Sequence, residues 1–123
     1  MLTFPRALQP PLLTQTIPHH FASIVAQHGD RMAVISRSQK ERLTYRGLDE
    51  RSNALARGLR SQGVVKGDRV AVSLGNNWEF AVVTYAVWKL GAVLVGLFFL
   101  LVFSGVLLIW GKIEWRLIDG WME

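Results

Sequence analysis

A chain of 123 residues that is 50% apolar and 19% charged can bury one core but is too short for two domains, and it is neither disordered nor collagen-like. The net charge is +5, and no cysteine is present, which excludes disulfides, thiolate zinc sites and thiol nucleophiles and fits a reducing compartment. The basic excess is local: residues 1–89 hold twelve Lys/Arg against six Asp/Glu, and residues 90–123 hold two against three. In KERLTYRGLDER the cations alternate with acids, the pattern of a solvated surface, so no nucleic-acid partner is expected.

Residues 1–17, MLTFPRALQPPLLTQTI, carry one Arg, no acid and three of the four prolines. A transit peptide needs an amphipathic helix, which Pro5, Pro10 and Pro11 oppose, so a flexible leader is expected here. From Pro18 onward, Phe21, Ile24, Val25 and His28 fall on one helical face, with Gly29 as its stop. AVIS (33–36) and LTY (43–45) read as two short strands joined by a polar loop. Thr44 is placed to cap a helix over 45–62 whose inner face is Leu48, Ser52, Leu55 and Leu59, with Gly63 as a left-handed C-cap. A capping box would place Glu or Gln at position 47, but Gly47 stands there.

A Lys66-Gly67-Asp68 turn then feeds a strand over 69–74, apolar enough to be covered on both faces. GNN (75–77) turns the chain into a helix over 78–90 with Phe80, Val83, Val87 and Leu90 on one face, ended by Gly91. AVLV (92–95) is the next strand. This order predicts an α/β fold with right-handed crossovers and a mostly parallel sheet.

The stretch LTYRGLDERSNALARGLRSQGVVKGDRVAVSLGNNWEFAVVTYAVWKLGAVLV resembles the amino-terminal part of the adenylate-forming enzymes, the AMP-dependent acyl-CoA synthetases and ligases. The resemblance rests on Thr44-Tyr45, Leu48, the Asn53-Ala54-Leu55-Ala56 and Leu59 helix, Gly63-Val64, Gly67-Asp68-Arg69-Val70-Ala71-Val72, Asn77, Glu79-Phe80, Ala86 and Gly91-Ala92. It spans residues 18–95 and implies a partial N-terminal subdomain built of a short hairpin plus βαβ-type units. It also implies, for the full-length family, activation of a carboxylic acid with ATP and Mg to an acyl-adenylate, then transfer to coenzyme A. The family's phosphate-cradling loop and catalytic residues lie later in its sequence. No catalytic, cofactor-binding or metal-ligating residue is therefore carried over, no cofactor is expected on this chain alone, and the chain is expected to be inactive alone. Three positions depart from the family pattern: Gly47 for Glu, Met32 for Pro, and Gly96 where a Pro-containing turn normally follows.

The residues agree with the missing loop, because no G-x-x-x-x-G-K-[ST], G-x-G-x-x-G or G-x-S-x-G occurs. His19, His20 and His28 read as solvated or helix-packing residues rather than a metal site. Asp49, Glu50 and Glu79 read as acids placed by helix dipoles, and Trp78, Trp88, Trp110, Trp115 and Trp121 as core or membrane-interface residues.

From Leu90 to Gly111 there are 22 residues without a charge, about 33 Å as a helix and enough to cross a bilayer core. Trp88-Lys89 and Trp110 with Lys112 resemble interfacial anchors. The run therefore reads as a hydrophobic, membrane-spanning helix or as a buried core segment, and a membrane partner and membrane-associated location are expected from the first. The cytoplasm is the alternative, with mitochondrion or peroxisome open for the parent family. The two readings of 92–95 collide, and keeping the strand starts the helix at Gly96 (96–111), followed by a polar and aromatic tail (112–123). The loss of resemblance at Gly96 also fits translation through a retained intron or a shifted frame, which the transcript sequence across codons 90–123 decides. An incomplete sheet leaves an edge through which the chain is expected to self-associate. The alternative function is a small membrane-anchored interaction protein that reuses the α/β piece.

Overall fold

The computed structural model describes residues 13–96. In chain order the elements are α1 (Ile17–His28), β1 (Met32–Ser36), β2 (Glu41–Thr44), α2 (Tyr45–Ser61), β3 (Arg69–Val72), α3 (Trp78–Lys89) and β4 (Val93–Gly96). Of the expected leader over 1–17, residues 1–12 lie outside the described residues, and its last residue, Ile17, instead opens α1; of the expected apolar helix over 96–111, Gly96 is instead the end of β4, and 97–111 lie outside the described residues with the tail over 112–123. Among the described residues no helix is long and apolar enough to cross a membrane.

The helix boundaries follow the capping chemistry. The Thr44 hydroxyl accepts from the Gly47 N–H at 3.0 Å and opens α2, satisfying one of the donors a helix start leaves free. Asn77 does the same for α3 by accepting from Phe80 N–H at 3.3 Å. Gly63 and Gly91 follow the two helices at φ of 92° and 70°, the left-handed backbone that only glycine adopts without strain. Gly29, the stop of α1, is different. It stays right-handed, and its place is set by crowding: a Cβ there would sit 2.8 Å from the Val25 carbonyl oxygen and 3.1 Å from the Arg46 guanidinium.

Four strands form, but not one sheet. β1 and β2 make an antiparallel hairpin, irregular between Met32 and Val34, and β3 and β4 make a separate parallel pair bridged by α3. Two backbone bonds lock the start of the parallel pair, Val93 N–H to the Asp68 carbonyl at 2.7 Å and Gly67 N–H to the Gly91 carbonyl at 3.0 Å. The Asp68 carboxylate closes the preceding turn by accepting from Val65 N–H at 2.8 Å. The expected strand over 69–74 stops at Val72.

Gly96 is the last residue of β4, paired with Val72. The strand reading of 92–95 therefore holds, and a membrane helix cannot begin at Leu90, because α3 ends at Lys89 and the chain turns at Gly91 into the sheet.

One core joins all layers. Phe21 of α1, Leu43 of β2, Leu48, Leu55, Ala56 and Leu59 of α2, Val72 of β3, and Val82, Val83, Ala86 and Val87 of α3 are buried together with Ala92. On α3 the buried face is Val82, Val83, Ala86 and Val87, with Phe80 and Leu90 only at its margin. The expected face was too narrow because α3 packs on α2, α1 and two strands at once, and a helix with several neighbours buries a wider stripe. The expected covering of β3 on both faces is absent among the described residues, where Arg69 is exposed and Val70 and Ala71 are half-buried.

Candidate functional site

The densest polar constellation lies between α2 and α3. Lys89, on the last turn of α3, directs its ammonium group into α2. It donates to Asp49 Oδ1 at 2.7 Å, Ser52 Oγ at 2.7 Å, Asn53 Oδ1 at 2.8 Å and the Asp49 carbonyl at 3.2 Å. An ammonium group has three protons, so four acceptors leave none of them free.

The acceptors hold one another as well. Asn53 Nδ2 donates to Asp49 Oδ2 at 3.0 Å, which turns the amide so that its oxygen faces Lys89. Ser52 Oγ donates to the Asp49 carbonyl at 3.0 Å. The Lys89 side chain is 13% exposed and that of Asp49 26%, and the Phe21 ring lies 5.6 Å from the ammonium nitrogen. Among the described residues no buried side-chain nitrogen or oxygen lacks a partner.

Chemically this arrangement is a clamp. A lysine acting as nucleophile or base needs a free lone pair and an approach path, and Lys89 offers neither. Its role is to fix the α2–α3 interface, where a charge removed from water is tolerated only when paired and fully hydrogen-bonded.

Two expectations change here. Asp49 does not sit in the first turn of α2, which holds no acid, and its partner is Lys89 rather than the helix dipole. Lys89 and Trp88 do not stand as interfacial anchors: Lys89 is held part-buried in the clamp, and Trp88 packs edge-on to Tyr85 with ring centroids 5.6 Å apart. Trp110, Trp115, Trp121 and Lys112 lie outside the described residues.

A second polar cluster ties the β1–β2 turn to the start of α3. Gln39 Oε1 accepts from Trp78 N–H at 3.2 Å and from Ser36 Oγ at 2.9 Å. Gln39 Nε2 donates to both Glu79 carboxylate oxygens at 2.8 Å. Glu79 does lie in the first turn of α3, where an acid complements the helix dipole. Arg51 completes the joint, with its guanidinium 4.6 Å from the Trp78 ring centroid and 2.8 Å from Glu41. These contacts position the hairpin against α3, and Ser36 and Glu41 also line a shallow surface cavity with Ile35, Arg37, Lys40 and Arg42.

Tyr85 stacks on Phe21 with centroids 4.2 Å apart, and Tyr45 tilts against the same ring at 6.3 Å. Burial pushes the Tyr85 hydroxyl above its ordinary range, and the nearby Tyr45 adds to the shift. It therefore stays a neutral phenol near pH 7 and supplies no phenolate base.

The histidines are dispersed along α1. His19 Nδ1 bonds with Thr16 Oγ1 at 2.8 Å and His20 Nδ1 with Gln15 Nε2 at 3.1 Å. Among the described residues no group of three or more His, Asp or Glu could hold a metal ion.

The signal for the clamp was partly visible. Ser52 interrupts an otherwise apolar inner face at Leu48, Leu55 and Leu59, and a buried hydroxyl needs a partner. Nothing in the spacing named Lys89, because 37 residues separate it from Ser52.

The comparisons with known proteins fit this geometry. A family model described as AMP-binding enzyme matches residues 21–102. The chain is 40% identical over 78 residues to Protein Y of Streptomyces griseus, covering 63% of this chain and 25% of that protein. It is 34% identical over 88 residues to the acyl-CoA ligase sidI of Beauveria bassiana, covering 72% of this chain and 15% of the ligase. The solved N-terminal subdomain of Klebsiella oxytoca NpsA superposes with a TM-score of 0.63 at 34% identity, over 67% of this chain and 21% of that one. The chain thus spans a quarter or less of the length of these relatives. On the strength of the family match and the shared α/β architecture, the chain belongs to the AMP-binding enzymes, as a partial N-terminal subdomain of the adenylate-forming fold.

Proposed function

We propose that residues 13–96 are the amino-terminal scaffold of an ATP-dependent, AMP-forming acyl-CoA ligase. Such an enzyme joins a carboxylate to AMP with release of pyrophosphate, then passes the acyl group to the thiol of coenzyme A. The observation that carries this reading is the 34% identity to an acyl-CoA ligase over 72% of the chain, together with the AMP-binding match over residues 21–102.

ATP and Mg²⁺ would supply the leaving group and the charge neutralisation for that chemistry. The described residues do not fit them. They present no Gly/Ser/Thr-rich phosphate cradle, and Lys89, their most deeply placed cation, is saturated by four oxygens of α2. The contribution of this piece is positional. It presents the parallel β3–β4 pair as an edge for the rest of a sheet and fixes that pair on two clamped helices.

A chimera tests this assignment. Residues 1–95 replace the matching stretch of the Beauveria bassiana ligase, and pyrophosphate exchange and acyl-CoA formation are measured on the purified protein. Retention of both activities is expected. A folded, soluble chimera without either activity would refute the scaffold role. The purified 123-residue chain, assayed alongside with ATP, Mg²⁺ and a panel of carboxylic acids, is expected to give no exchange above background.

A further inference from the structure

The β3–β4 pair has one packed face and one open face. Val70, Val72 and Leu94 pack into or against the core. Pairing places Ala71 beside Val95 and Arg69 beside Val93, so these four residues point to the opposite side. There Val93 is 50% exposed and Val95 36%. Parallel strands joined by a helical crossover are normally covered on both faces, and among the described residues α3 and the core cover only one.

The chain leaves this same sheet at Gly96, the end of β4. The next fourteen residues, LFFLLVFSGVLLIW, contain no charged side chain. We propose that the open face of β3–β4 is the docking surface for residues 97–110 of the same chain.

Three observations favour this occupant over others. Fourteen residues reach about 46 Å when extended, whereas the four residues of β4 span about 13 Å, so the chain can reverse after Gly96 and return along the face. Tethering gives the segment an effective concentration of order millimolar, above that of a second copy in dilute solution. The chemistry matches at Ala71, Val93 and Val95, which offer an apolar strip to an uncharged apolar segment, with Arg69 at the start of β3 left at its rim, and both lose water-exposed surface on contact.

Photocrosslinking tests the proposal on the full chain. The absence of cysteine makes Val93→Cys a single attachment point for a small diazirine probe, with Ile35→Cys on the hairpin as the comparison, since Ile35 is similarly exposed, at 55% against 50%. The expected product is an intrachain link from position 93 to residues 101–110. Its yield should be unchanged on roughly tenfold dilution, it should persist with phosphatidylcholine vesicles present, and it should be absent from position 35. Links between chains that fade on dilution, links to lipid acyl chains, no link beyond residue 100, or equal linking from position 35 would each overturn it.

Discussion

The α2–α3 interface and the β3–β4 pair show two ways in which a short chain handles its apolar and polar groups. At the interface every demand is met internally. Leu48, Leu55 and Leu59 meet Val83, Ala86 and Val87 in one cluster, and the part-buried Lys89 ammonium has an oxygen for each proton. The strand pair is satisfied on one face, while Val93 and Val95 remain exposed on the other. The helix pair is therefore where stability should be concentrated, and the sheet is where the chain looks for more structure.

Truncation of a core leucine should separate the two regions most strongly. Leu48 is 2% exposed, so Leu48→Ala should cost about 3 kcal/mol of unfolding free energy in urea titrations, whereas Val93→Ala, even with residues 97–110 docked against it, should cost no more than about 1 kcal/mol. Equal losses would dissolve the contrast. Capping gives a smaller effect within the helical region. Thr44→Ala should cost about 1 kcal/mol by freeing the Gly47 N–H. Gly47→Ala should be stabilising by about 0.5–1 kcal/mol, because a Cβ there meets Thr44 Oγ1 at an ordinary 3.4 Å and alanine is the better helix former. Thermal melts of the two variants should move in opposite directions, and movement in the same direction would show that the α2 start is not set by this cap.

Much of this architecture was legible because it is local. Thr44, Gly63 and Gly91 announce where helices start and stop through a single side chain or a single backbone angle, and the structure places each as read, while in the GNN turn it is Asn77 that caps α3. The period of Leu48, Ser52, Leu55 and Leu59 gave the inner face of α2 for the same reason. What depends on distant partners was not legible. Whether four strands join one sheet or two is decided by tertiary packing, and the same holds for Val82 and Ala86, buried because α3 has several neighbours. Lys89 is the clearest case. Next to Trp88 and an apolar run it has the composition of a membrane-interface anchor, yet α2 supplies four oxygens around it from residues 49, 52 and 53. The same fact governs function, since the residue with the most chemical promise is committed to holding two helices together.

A double-mutant cycle tests that claim most directly. Lys89→Met, Asp49→Ala and the pair are compared by urea unfolding. Because Lys89 and Asp49 are mostly but not fully buried, each single change should cost about 2 kcal/mol, with a coupling energy of about 1–2 kcal/mol between them. A coupling indistinguishable from zero, with Lys89→Met as stable as the parent chain, would contradict the clamp.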